Sequence, residues 1–231
     1  MASKTCVITG ASRGIGLATA VRFARSGYNV VGVARTEAAL DQARKKIEPL
    51  GAKWLGVAAD LSEPNSAKSC VEATVRHFGG IDVLVNNAGI APLAKITDMN
   101  DRSYSECVEL NCGSVFRMTR ASWDVLAAAR GTIVNVSSVA STDPFPGFAV
   151  YGACKAWVNV FTKACAEEGR PLGIRVVGVA PGAVETEMLR QHFPAFPTEQ
   201  TLGADDVAAM VEAVTHDAFQ YATGHTVFLR K

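Results

Sequence analysis

The sequence is short of net charge, of long apolar runs and of any metal-ligand spacing. Twenty-three Lys and Arg stand against 22 Asp and Glu, a formal charge of +1, so no global field recruits nucleic acid or an anionic membrane. Apolar stretches such as 30–34 fall far short of the ~18 residues that a membrane span requires, and the opening MASKTCVITG lacks the apolar core of a secretory signal. Neither a nucleic-acid nor a membrane partner is expected, and a cytoplasmic location is. The six cysteines, at 6, 70, 107, 112, 154 and 165, include no CxxC pair, and four lie in apolar patterns. They read as free thiols without zinc. The four histidines, at 77, 192, 216 and 225, are scattered, as surface or capping residues are, and no metal site is expected.

What is present points to one packed unit. The 231 residues are 48% hydrophobic and 19% charged, which suits a single domain over 1–231 that buries roughly 70–75% of its unfolded surface. Disorder is excluded as the general state. No repeat or low-complexity tract occurs, and only HFPAFPTEQ at 192–200 shifts in composition, reading as a loop. Short β-branched runs at 5–9, 29–34, 54–59, 81–86, 132–137, 174–180 and 226–229 alternate with helix-like patterns. Several are apolar at nearly every position, as in strands covered on both faces. The expectation is an α/β fold with a doubly wound, seven-stranded parallel sheet. Helices over 100–129 and 148–168 look long, and RKK at 44–46 reads as the solvated face of another.

The first strand runs into TGASRGIG at 9–16, then a helical pattern that stops at Gly27. Gly10 allows a tight turn, Gly14 lets the backbone approach a pyrophosphate, and Gly16 lets the helix pack on the sheet with its N-terminus aimed at the anion. The spacing G-x-x-x-G-x-G differs from G-x-G-x-x-G, and a sharp structural turn is the plainer alternative. The context of strand, glycine turn and helix favours a dinucleotide site. Where the second strand ends, an NAD site offers an acid to the ribose hydroxyls. Here stands Arg35, with Arg13 inside the loop, two cations suited to a 2′-phosphate. NADP(H) is expected over NAD(H).

Farther on, Tyr151 and Lys155 stand at i and i+4, on one helical face. An ammonium beside the phenol favours phenolate, making Tyr151 a usable acid or base. With Ser138 ending the fifth strand run and Asn111 in LNCGSVF, the motifs bring a family into focus. TGASRGIG, Asp60-Leu61 after the third strand, NNAG at 86–89, Ser138 in IVNVSS, YGACK at 151–155 and PGAVET at 181–186 together resemble the signatures of the short-chain dehydrogenase/reductase family. They span most of the chain.

The resemblance implies a Rossmann fold and an NADP(H)-dependent oxidoreductase that interconverts a carbonyl and a secondary alcohol by hydride transfer. Tyr151 would protonate the carbonyl oxygen in reduction and Ser138 would hydrogen-bond it. Lys155 would also hold the nicotinamide ribose, and Asn111 would keep a water joining Lys155 to solvent. Ser12 and Ile15 fall within the phosphate loop beside Gly10, Arg13, Gly14 and Gly16. Asp60 and Leu61 resemble the adenine-side pair, although an Asp before Leu-Ser-Glu-Pro also suits a helix cap. Asn87, Ala88 and Gly89 would pass near the ribose, whereas Asn86 reads as a tie between strands. Pro181, Gly182, Val184 and Thr186 would meet the nicotinamide half, unless PGAVET is an ordinary turn.

The substrate pocket is expected from Pro92, Leu93, Phe145, Phe148, Met188, Leu189, Phe193 and Phe196, an apolar and aromatic set that suits an uncharged small molecule. The chain stops after TGHTVFLRK, without the Asp-Gly-Gly and tail common in the family. The resemblance implies that the two long helices, bearing Phe116, Trp123, Trp157 and Phe161, form a four-helix contact in a homodimer or homotetramer, with packing inside one subunit as the alternative. A non-catalytic dinucleotide sensor on the same fold is the rival reading, but it would have lost the tyrosine or the lysine. An extended epimerase or dehydratase would need a longer chain and a different glycine spacing.

Overall fold

The computed structural model describes residues 3–231; the two residues that open MASK, and with them the start of the expected 1–231 domain, lie outside the described part. Seven strands, β1 (Thr5–Thr9), β2 (Asn29–Ala34), β3 (Trp54–Ala58), β4 (Val83–Asn86), β5 (Thr132–Val136), β6 (Arg175–Pro181) and β7 (Thr226–Leu229), form one all-parallel sheet in the order β3-β2-β1-β4-β5-β6-β7. Alternation divides each strand between two cores. On β1, Cys6 and Ile8 join Phe23 of α1 (Gly14–Arg25) and Val207 and Val211 of α8 (Ala204–Ala213). Val7 joins the opposite face with Cys70 of α3 (Ser66–Phe78), Met118 and Leu126 of α5 (Ser114–Ala129) and Cys165 of α6 (Ala149–Gly169). Burial on both sides explains why β1, β4 and β5 are apolar at most positions.

The strand order reverses between β1 and β4, and the carboxyl ends of these strands open a crevice where such sheets bind ligands. β1 delivers the glycine turn to it, β4 delivers NNAG, β5 delivers Ser138 and β6 delivers PGAVET.

Two expected elements differ. The long helix over 100–129 is two helices, α4 (Asp101–Val108) and α5, joined by a π-turn at Glu109–Gly113. The widened turn carries Asn111, whose side chain donates to the Cys107 carbonyl four residues back, and such insertions gather at functional sites. The stretch 192–200 is not wholly loop: α7 (Glu187–His192) ends inside it, and a short 3₁₀ turn follows at Thr198–Gln200. Arg190 explains the order, since its guanidinium pairs with Glu185 and donates to the carbonyls of Pro194 and Phe196.

Candidate active site

The glycine turn is pinned from three sides. The Gly10 and Ala11 N–H groups donate to the Val33 carbonyl at 2.8 and 3.2 Å. The Thr9 hydroxyl accepts from the N–H groups of Asn87 and Ala88, and the Asn87 amide donates to the Thr9 carbonyl at 2.9 Å. Gly10 and Gly14 take left-handed backbone, φ 68° and 53°. At Gly16 a Cβ would stand 2.2 Å from the Gly10 carbonyl oxygen, so only glycine lets α1 begin this close to the turn. Ser12 and Ile15 are half-buried in the loop. No side chain caps the N-terminus of α1 and its first turn holds no acid, so its positive end faces the crevice free for an anion. These features fit a dinucleotide phosphate.

Arg13 is exposed and paired with Glu187 of α7, a link between two exposed groups that a stronger anion can displace. Arg35 is exposed directly after β2. Asp60 accepts from the Ser62 N–H and hydroxyl at 2.9 and 2.6 Å. These bonds, with the Arg35 charge behind them, hold its carboxyl below the usual range. It closes an Asx turn and is not the cap of α3, which begins at Ser66. Leu61 is buried beside it.

Ser138, Tyr151, Lys155 and Asn111 converge beside this turn. Burial pushes the Tyr151 phenol up to about 12, with Ser138 pulling the other way. Lys155, only 4% exposed, donates to the Val136 carbonyl at 2.9 Å. Burial brings it down to about 8. The expectation of a phenol lowered by the ammonium is therefore corrected: the nitrogen stands 5.7 Å from the centre of the Tyr151 ring, and desolvation of the buried phenol prevails. Asn111 is wholly buried. Its amide nitrogen donates to the carbonyls of Ile90 and Cys107, while its Oδ1 has no partner. A Cβ built on Gly89 would come within 2.5 Å of that oxygen and 3.7 Å of the Lys155 nitrogen, so the bare Gly89 backbone leaves a polar cradle facing both. An unpartnered buried acceptor beside a buried amine fits a guest with hydroxyl groups, or water.

Val184 and Thr186 lie past β6. Val184 is buried, bridging to Leu202, and Thr186 caps α7 by accepting from the Leu189 N–H. Pro181 ends β6, and the Gly182 N–H donates to Leu229. Above Tyr151, Phe148 packs against Phe145, Phe193 and His192; Leu93, Phe145 and Met188 are exposed. Pro92, Leu189 and Phe196 are half-buried. Asn86 is the expected tie, donating to Asn135 at 2.9 Å and to Thr119.

Sequence reasoning missed Arg117. Its guanidinium reaches the carbonyls of Leu61 and Ser62 at 3.1 Å each and pairs with Glu109 of the π-turn, joining the Asp60 loop to the turn that carries Asn111. An arginine on a helix gives no local sign of such reach. It missed Thr9 as well, a buried threonine at a strand end.

Comparison with known proteins shows the family. The family model for short chain dehydrogenases matches residues 4–195. The chain belongs to the short chain dehydrogenase family. It is 35% identical to the 3-oxoacyl-[acyl-carrier-protein] reductase FabG of Escherichia coli over 97% of this chain and 94% of that one. Among solved structures, a short chain dehydrogenase from Burkholderia cenocepacia in complex with NADP superposes with a TM-score of 0.92 at 30% identity, covering 99% of this chain and 97% of that one. The 3-ketoacyl-(acyl-carrier-protein) reductase from Brucella melitensis, complexed with NADH, gives 0.91 at 32%, covering 99% and 97%. The fold is that of the family, and the chain is an oxidoreductase that takes a nicotinamide cofactor.

Proposed function

We propose that this chain interconverts an uncharged carbonyl compound and the matching secondary alcohol, with NADP(H) preferred over NAD(H) and Tyr151 as general acid and base. The observation that carries the reading is the convergence of Tyr151, Ser138, Lys155 and the unpartnered Asn111 Oδ1 beside the glycine turn. The rival reading, a non-catalytic sensor, gives no reason to retain all four groups.

The nicotinamide supplies or accepts the hydride when bound. The chain supplies the rest. Gly10, Ser12, Gly14, Ile15 and Gly16 present backbone N–H groups and a helix N-terminus to the diphosphate. Arg13 and Arg35 take the 2′-phosphate, and Asp60 and Leu61 border the adenine. Asn87, Ala88 and Gly89 line the ribose side, while Pro181, Gly182, Val184 and Thr186 border the nicotinamide. A phenol with its affinity for protons raised is a neutral donor at pH 7, so Tyr151 is set to protonate a developing alkoxide while Ser138 stabilises the oxygen. Lys155 holds the ribose hydroxyls, and Asn111 with Lys155 passes the proton onward. Phe148, Phe145, Phe193 and Leu93 favour an apolar substrate body.

The chain 1–231 works as one domain in a cytoplasmic setting, its six thiols reduced. Phe116, Trp157 and Val160 expose apolar surface on α5 and α6, which a homodimer would cover. Light scattering at micromolar concentration should give twice the chain mass or more. No helix among the described residues is long and apolar enough to cross a membrane. The deciding experiment follows nicotinamide absorbance with a panel of ketones and aldehydes against NADPH and NADH. Turnover with at least one carbonyl, faster with NADPH, is expected; cofactor binding without turnover on any member would favour the sensor.

A further inference from the structure

Arg117 of α5 reaches from its helix to both the loop after β3 and the π-turn. One terminal nitrogen of its guanidinium donates to the carbonyls of Leu61 and Ser62 at 3.1 Å each and to the Glu109 carbonyl at 3.3 Å. The other donates to the Glu109 carboxylate at 2.9 Å. The side chain is only 13% exposed, and its Nε is buried without a hydrogen-bond partner. Gly113 leaves room for the reach: a Cβ there would stand 2.8 Å from the guanidinium and 2.7 Å from the Glu109 carboxylate.

Each end of this strap leads to a group of the candidate site. Ser62 holds the Asp60 carboxylate through its N–H and hydroxyl, so fixing the Ser62 carbonyl fixes the Asp60 loop. Glu109 opens the π-turn, whose widened bond runs from the Ser114 N–H to the Glu109 carbonyl, the same oxygen that Arg117 engages. Asn111 lies inside that turn, two residues on. A π-turn is a rare departure from the α-helix, and charge-assisted bonds to its first residue stabilise it here. A guanidinium this deep with one nitrogen unsatisfied is costly as a stability device. What it holds in place explains it better.

We propose that Arg117 is a positioning residue that makes the Asp60 loop and the Asn111 turn one unit, so that the adenosine end of the cofactor, bound against Asp60, orders the turn that holds Asn111. The place of the adenosine rests on the proposed function; the tie between loop and turn does not. Arg117 acts through Ser62 and Glu109 and not on the reacting atoms. Binding energy from a part of the cofactor that does not react is thereby used at the end that does.

The test adds adenosine 2′,5′-bisphosphate, the adenosine half of NADP without the nicotinamide, to the whole protein and follows hydrogen exchange in peptides spanning 109–113. In wild type the probe should slow exchange of the turn by roughly fivefold or more; in Arg117→Met, at saturating probe, it should not. Arg117→Met leaves two carbonyls without their donor and can fail to fold, so Glu109→Ala, at an exposed position, is the companion: it should bind the probe and lose the protection. In turnover, both variants should lose roughly tenfold or more in kcat, while the cofactor KM rises more in Arg117→Met, which alone frees the Asp60 loop. No protection in wild type that binds the probe, or equal protection in wild type and in either variant, overturns the tie. A wild type that binds neither this probe nor AMP overturns the placement of adenosine at Asp60, and the proposal falls with it. Protection lost with kcat unchanged leaves the tie standing and counts against Asn111 in the proposed reaction.

Discussion

Lys155 and Tyr151 share one face of α6, yet the lysine nitrogen turns to the Val136 carbonyl at 2.9 Å and stands 5.7 Å from the centre of the tyrosine ring. The i, i+4 spacing brings the two side chains together, but the end of β5 decides where the ammonium points. Both groups are pushed by burial toward their neutral forms.

Tyr151→Phe keeps the ring and its contact with Phe148 while removing the transferable proton. Turnover should fall by roughly 10²–10⁴-fold, with cofactor affinity unchanged by fluorescence titration. Near wild-type turnover would remove Tyr151 from the proton-transfer step.

The buried Lys155 carries a cost that pH can reveal. Its pKa is about 8 in the folded chain against 10.5 for the ordinary side chain, so the unfolded state holds the proton more tightly. Stability from this group therefore rises with pH from about 8 to 10.5, by up to about 1.4 kcal/mol per pH unit. Below that window the whole penalty is present. The phenol acts oppositely and higher: with a folded value of about 12 against 10.0, Tyr151 lowers stability only as pH rises through that range. Lys155→Met should be more stable than wild type at pH 7 by roughly 1–3 kcal/mol, and inactive, and the difference should shrink by pH 9.5. Denaturant unfolding at both pH values measures it. A less stable Lys155→Met at pH 7 would contradict the burial argument.

The sheet was legible because parallel strands buried on both faces must be apolar at most positions, and NVVGVA at 29–34 and the run at 132–137 needed no tertiary information to be placed. The glycine turn was legible for a similar reason, since Gly16 answers a local clash with Gly10. The π-turn was not, because Glu109–Gly113 has the composition of any helix and is widened where Asn111 reaches Ile90, twenty-one residues back. The raised Tyr151 was invisible also, since spacing shows the lysine and says nothing of depth. Arg117 bridges 55 residues and more to Leu61 and Ser62, a relation only the folded chain creates.

Gly89→Ala tests the cradle between Asn111 and Lys155. The added methyl would stand 2.5 Å from Asn111 Oδ1, closer than any contact allows, so the amide must shift although the strand need not. A drop in kcat of roughly tenfold or more is expected, with the melting temperature reduced by only a few degrees. Unchanged kcat would show that the Asn111 oxygen has no part in turnover.

The last prediction concerns cofactor choice, which the solved relatives leave open, one holding NADP and another NADH. Arg35 follows β2 with Ala34 and Thr36 at its sides, and the nearest carboxylate in sequence, Glu37, begins α2 (Glu37–Ile47). Arg13, in the glycine turn, is held by Glu187, so binding through it must first displace an exposed ion pair, a small cost. Arg35 has no such partner among the hydrogen bonds and salt bridges of the described residues, and Asp60, whose carboxyl feels its charge, already accepts twice from Ser62. A charge-assisted contact with a 2′-phosphate adds roughly 1.5–3 kcal/mol, and about 1.4 kcal/mol is tenfold in affinity. Wild type should therefore bind NADPH roughly ten- to a hundredfold tighter than NADH at fixed ionic strength, and more so at low salt. Arg35→Ala should lose most of that preference by weakening NADPH alone, while Glu187→Gln should release Arg13 and strengthen NADPH modestly. Equal affinities in wild type, or an Arg35→Ala variant with the preference intact, would remove Arg35 as the residue that chooses the cofactor.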